Sequence, residues 1–158
     1  MQGLLDTFGR HRISEVDARR LGRKPGESGL SLERQAEIAN ILYGGAWGKA
    51  NLGNTEPGDG WKFRGYGPKQ ITGRGNCTKF AEAMKMAVDD IPAYLRTPEG
   101  GCAGAGWFWQ SHGLDALAAT PGLEDDRRRI NGGVNGLGDV EKRFAWLEAE
   151  FKKRGAWA

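Results

Sequence analysis

"GDGWKFRGYGPKQITGRGN", residues 58–76, decides how this chain is read. Glycine stands at 58, 60, 65, 67, 73 and 75, basic residues at 62, 64, 69 and 74, and rings at Trp61, Phe63 and Tyr66. The stretch has almost no helical apolar period, and periodicity is missing over the whole of Gly44 to Gly75. The expectation is a long irregular loop, and a loop of that length needs a functional reason. Rings flanked by small residues can show their faces, and glycine lets a ligand approach the backbone. Gln70, Thr72 and Asn76 add uncharged donors and acceptors, the equipment for reading hydroxyl and acetamido groups. Composition alone equally allows a structural loop whose aromatics fold back onto the core. The GxG pairs are no phosphate fingerprint, because no strand precedes them and no Walker lysine-serine pair follows.

On either side the pattern predicts short helices. Ser14 is placed to cap a helix with Val16 and Leu21 on its apolar side and Gly22 at its end. Ser31 is placed to cap a second, where Leu32, Ala36, Ala39 and Leu42 recur at spacings of three and four. Asn76 or Thr78 is expected to open a helix with Phe80 and Met84 on one face. Thr97-Pro98-Glu99 is a helix start, since proline at the first helical position gives up a donor that would be unpaired anyway. "LEDDRRRINGG", residues 123–133, runs from acids to bases in the order a helix dipole favours, with Gly132 as its stop. Leu137, Val140, Phe144, Leu147 and Phe151 form one stripe on a long last helix. No strand run or internal repeat stands out, and the expected fold class is all-α with a long Gly/aromatic loop.

The 158 residues suit a single domain over 1–158. Hydrophobic residues make up 39% and charged ones 27%, which is ordinary for a globular chain. The 26 glycines are scattered, which excludes collagen-like and low-complexity readings. A net charge of +3 suits a polyanionic partner such as a bacterial wall or nucleic acid, without choosing between them. Cys77 and Cys102 make no disulfide framework and no zinc pattern, and are expected as two reduced, buried thiols. No metal and no cofactor are expected. The start "MQGLLDTFGRHR" lacks an apolar h-region and a small-residue cleavage site, and no stretch approaches a membrane span. The chain is therefore expected in the cytoplasm, without membrane insertion.

"GNTEPGDGWKFRGYGPKQITGRGN" resembles the central signature of the family 19 chitinases and of the phage and prophage endolysins related to them. "RRRINGGVNGL" resembles that family's later I-N-G-G segment, and "AGWFWQSHGLDALA" its aromatic helix. "LLDTFGRHRIS" and "IANILYGGAWGKANLGN" resemble the endolysin form of the upstream part. The resemblance runs from about Gly3 to about Phe151 and implies a lysozyme-like or chitinase-like helical domain. It implies cleavage of β-1,4 bonds in amino-sugar polymers, peptidoglycan or chitin, with inversion. Two carboxylates do this in such enzymes, one as acid and one activating a water, roughly 6.5–9.5 Å apart. Position by position, Gln70, Thr72 and Asn76 match the substrate-contacting glutamine, hydroxyl residue and asparagine, Asn131 matches the asparagine of I-N-G-G, and Arg143 matches, more loosely, a late supporting arginine. Trp61, Phe63 and Tyr66 are expected to line the same saccharide trench.

Three departures stand out. The family's acid lies in an H-E-[ST] motif upstream of the segment that "GLLDTFGRHRIS" resembles. Neither His11 nor His112 precedes a glutamate, so both catalytic carboxylates are expected to be missing, as if a first lobe were absent. Glu27 in Glu27-Ser28-Gly29 copies part of the motif and is the candidate replacement, although its Pro-Gly loop offers no burial to raise a pKa. Glu56 and Asp59 read as solvated turn residues, either one able to serve as general base; Glu33 and Glu37 read as a solvated helix face. Tyr66, Lys69 and Cys77 replace the family's usual arginine, apolar residue and tyrosine.

The readings are a wall-lytic glycoside hydrolase of weak or no activity, a non-catalytic glycan- or partner-binding descendant, and, last, a nucleic-acid binder. A lysin without a leader would reach the wall only through a membrane pore. A chain lacking a lobe is also expected to pair with a second copy or another protein.

Overall fold

Two serines start the first well-capped helices. In the computed structural model, which describes residues 2–156, Ser14 Oγ accepts from the Asp17 N–H at 3.0 Å and begins α2 (Glu15–Leu21). Ser31 Oγ accepts from the Arg34 N–H at 3.3 Å and begins α3 (Leu32–Tyr43). Each cap satisfies one of the donors a helix start leaves unpaired. Before them runs α1 (Gln2–Phe8), which the sequence pattern does not announce. Val16 is 74% exposed, contrary to its expected place on the apolar face; Leu21 is buried there as expected, with Ala18 beside it. Ile13, Leu21, Ile38 and Leu42 form one core cluster across these helices.

The segment expected as one irregular loop contains two short helices, α4 (Gly45–Leu52) and α5 (Asp59–Lys62). Their stability comes from tertiary contact rather than from an apolar stripe, so periodicity cannot reveal them. At Gly60 a Cβ would lie 2.5 Å from the Ala39 carbonyl oxygen and 2.8 Å from Asn40 Cα, so only glycine lets α5 sit this close to α3. Next, α6 (Arg74–Met84) starts ahead of the expected Asn76. Gly73 precedes it with φ +92°, and its N–H donates to the Phe63 carbonyl at 2.7 Å.

A second core cluster gathers Phe63, Ile71, Phe80, Ile91 and Leu95. It is closed by α7 (Ile91–Tyr94) and by α8 (Pro98–Ser111), whose start is capped by Thr97 Oγ1 accepting from the Gly100 N–H at 3.0 Å. On α8 the buried positions are Gly100, Gly101 and Gly104. Cys102 points away from that face and is exposed, whereas Cys77 is buried as expected.

The chain divides into two compact units at Trp107/Phe108, within α8. The second unit holds α9 (Leu114–Ala118), α10 (Glu124–Asn131) and α11 (Leu137–Lys153). Gly132, at φ +71°, ends α10 as its sequence suggests. On α11 the expected stripe remains substantially open, with Phe144 42% and Leu147 44% exposed. Among the described residues the regular elements are all helical, and the only β pairing is the isolated Tyr66–Ile71 bridge, so the fold class is all-α as expected. No helix among them is long and apolar enough to cross a membrane.

Candidate functional site

Gln70 sits in a tight turn, Thr72 follows it, and Asn76 lies on the first turn of α6. The Tyr66 N–H donates to the Ile71 carbonyl at 3.3 Å, and the Ile71 N–H donates back to the Tyr66 carbonyl at 3.0 Å. Between them Gln70 takes a left-handed conformation, φ +51°, unusual for a residue with a side chain. Its Nε2 donates to the Gly67 carbonyl at 3.1 Å, Thr72 Oγ1 donates to the Gln70 carbonyl at 2.8 Å, and Asn76 Nδ2 donates to the Thr72 carbonyl at 2.9 Å. A Cβ on Gly65 would fall 2.5 Å from Gln70 Oε1 and 3.0 Å from Thr72 Oγ1, so both polar groups abut the bare backbone there. Each of the three donates inward to the main chain, and an oxygen of each stays available to accept.

Trp61 is half-buried beside this turn. Arg64 lies over its ring, with Cζ 3.4 Å from the centroid, and donates from Nη1 to the Trp61 carbonyl at 2.6 Å. The same guanidinium is 4.9 Å from the centroid of Tyr66. Trp61, Arg64, Gly65 and Gln70 line a cleft of about 360 Å³ together with Leu30, Gln35, Tyr43 and apolar side chains of α1 and α3. A second depression, of about 530 Å³, is bordered by Asn40, Lys49, Thr55, Glu56 and Gly58.

Phe63 and Tyr66 are not exposed platforms. Phe63 is 0% and Tyr66 8% exposed, and both belong to the core. The faces expected to meet sugar are covered by cations: Arg74 lies 4.7 Å from the Phe63 centroid and Arg96 5.2 Å from that of Tyr66. Of the three rings in the signature stretch, Trp61 alone lines the cleft.

Asp59 corrects another expectation. It is 2% exposed rather than solvated. Its Oδ2 accepts from the Thr55 and Glu56 N–H groups, both at 3.0 Å, and Arg74 closes a bidentate pair with it at 2.8 and 2.6 Å. Burial is the largest single influence and raises its pKa, but the Arg74 hydrogen bond, the two backbone donors and the Arg74 charge together outweigh it and hold the carboxyl below its ordinary value. A carboxylate so occupied is a brace, with little left to activate water. Asn54 completes the frame: its Nδ2 donates to the Tyr43 carbonyl at 2.8 Å and its Oδ1 accepts from the Arg74 N–H at 2.7 Å.

Glu27 is held by hydrogen bonds as well. Arg34 Nη1 donates to it at 2.8 Å and the Lys24 N–H at 2.7 Å. The Arg34 hydrogen bond first, then the Lys24 backbone bond, lower its pKa, the reverse of what a proton donor requires. It does not line the cleft that holds Trp61 and Gln70. Asn131 and Arg143 stand in the second unit. The Asn131 amide oxygen, turned towards Arg127, accepts from its guanidinium at 2.7–3.2 Å, and Arg143 Nε donates to Asp139 at 2.9 Å. Sequence reasoning missed Arg64, Asn54 and the Asp59–Arg74 pair; the one available signal was an arginine set between rings in "WKFRGY".

No protein-family profile matches the chain. It is similar to a glycosyl hydrolase family 19 domain-containing protein of Haemophilus influenzae, 32% identical over 147 residues. The match covers 92% of this chain and 64% of that protein, so the chain spans less than two thirds of the relative's length.

Proposed function

We propose that the chain is an endolysin-type glycoside hydrolase domain that holds a β-1,4-linked amino-sugar strand, of the peptidoglycan or chitin class, along Trp61, Gln70, Thr72 and Asn76. The observation that carries this reading is the backbone-anchored polar strip beside the open cleft, in a chain similar to a family 19 protein. Asn131 and Arg143 are proposed, separately, as glycan contacts of the second unit. If the chain is a lysin, its target is the wall, reached from the cytoplasm through a membrane pore.

Lysis by this polypeptide alone is expected to be weak or absent. Among the described residues lining the cleft there is no carboxylate to donate a proton, and loss of general acid catalysis costs typically 10²–10⁴-fold. The same observation favours the second reading, a glycan-binding descendant without catalysis. A turbidity assay on outer-membrane-permeabilised Gram-negative cells separates the two, since rapid clearing excludes the non-catalytic reading. Glycan binding tests what they share. Gln70→Ala should weaken binding about tenfold with the fold intact, and undiminished binding would remove the strip from the site.

A further inference from the structure

The last helix keeps an apolar face that its own unit does not cover. On α11 Phe144, Leu147 and Phe151 are 42%, 44% and 41% exposed. Val140 and Phe144 also border a groove of about 680 Å³ with Trp109, Pro121 and Ile130, all within the second unit. An exposed apolar surface of this kind marks a place of association. A lipid surface is a poor match, because a helix that lies on a membrane carries an excess of bases on its polar face. Here Asp139, Glu141, Glu148 and Glu150 balance Lys142, Arg143, Lys152 and Lys153.

The order of these charges fits a second copy of the same helix. Equidistant from the point between Trp146 and Leu147 stand Asp139 and Arg154, Glu141 and Lys152, Arg143 and Glu150, an acid matched with a base each time. No like charges are matched. The members of these pairs are about four, three and two helical turns apart, so each pair keeps to one side of the helix. A two-fold axis through that point turns one α11 antiparallel to the other and lays each acid beside the second copy's base. The same axis brings Phe144 close to Leu147 of the second copy and Val140 close to its Phe151, and it sets the two helix dipoles head to tail. Glu141 and Arg154 have no ion pair among the described residues, and each gains one; exposed pairs such as Asp139–Arg143 exchange partners at little cost.

We propose that α11 is the seat of a two-fold pair of this chain, joined antiparallel through Phe144, Leu147 and Phe151 and held in register by the matched charges. Pairing engages Arg143 and so competes with the glycan role proposed for it above.

Sedimentation of the full chain from about 1 to 200 µM tests this, since an interface at the small end of the known range should give a Kd of about 10 µM. Leu147→Glu, with helix content unchanged by circular dichroism, should weaken pairing about tenfold or more. Glu141→Lys and Lys152→Glu should each pair with themselves about fivefold more weakly. Mixed at the same total concentration, those two variants should recover the dimer, because the mixed pair sets an acid against a base at both edges. A misfolded variant could not give that recovery. A single-copy mass throughout overturns the proposal and leaves the face to a different polypeptide. A dimer indifferent to Leu147→Glu overturns it, and so do charge variants that gain nothing by mixing. No glycan enters these measurements, so the glycan-binding reading stands or falls separately.

Discussion

Arg74 and Asp59, fifteen residues apart, meet through two hydrogen bonds of 2.6 and 2.8 Å, with the aspartate side chain 3% exposed. Removing the cation alone strands a buried carboxylate, so Arg74→Met should cost about 3 kcal/mol in urea unfolding. The folded pKa of Asp59 lies below the ordinary 3.8, so the unfolded chain takes up this proton first as acid is added. Its stabilising contribution should be complete above about pH 5 and fall away as the pH drops through 4 towards the folded pKa. Asp59→Asn should flatten the stability profile in that window, and an unchanged acid slope would remove Asp59 from it.

Gly60 and Gly58 separate crowding from backbone strain. A methyl at 60 meets α3 main chain at 2.5 Å, whereas at Gly58, with φ +88°, nothing lies within 4 Å. Gly60→Ala should destabilise by about 3 kcal/mol and disturb the adjoining cleft. Gly58→Ala should cost only about 1 kcal/mol. Denaturation midpoints of the two variants check the order.

Glu27→Gln should lower the melting temperature and leave any glycan binding or lysis unchanged. Its carboxylate joins the loop before α3 to Arg34, which also donates to the carbonyls of Leu21 and Gly22. Since the folded pKa is lowered, this support is present above the ordinary glutamate value and lost as the pH falls below it. Lost activity in a stably folded variant would return Glu27 to the active site.

The two thiols should report on folding. Burial pushes the Cys77 pKa up to about 11, while Cys102 is exposed. The thiolate is the reacting species, so a disulfide reagent at neutral pH should label Cys102 promptly and Cys77 only on unfolding. Prompt labelling of both would place Cys77 outside the core.

The helices legible in the sequence are those whose ends are written locally. Ser14, Ser31, Thr97 and Gly132 act on neighbours three or four positions away, and the structure keeps all four in those roles. The glycine-rich middle was legible as polar and ring-bearing, but not as folded. What buries Phe63 is Arg74 and the core around Phe80, and what buries Asp59 is Arg74, partners that no local period can announce. Val16 and Cys102 were misplaced for a related reason. Apolar character alone does not choose a helix face; Ala18 and the glycines of α8 chose it here.

Asn54 clasps the carbonyl of Tyr43 with one end of its amide and the N–H of Arg74 with the other. Thr55 to Gly58, just beyond it, form an exposed crest. A protease that severed this crest would break the covalent thread without parting what it joins. The clipped molecule would pass a sizing column as if whole and separate into its fragments only in denaturant.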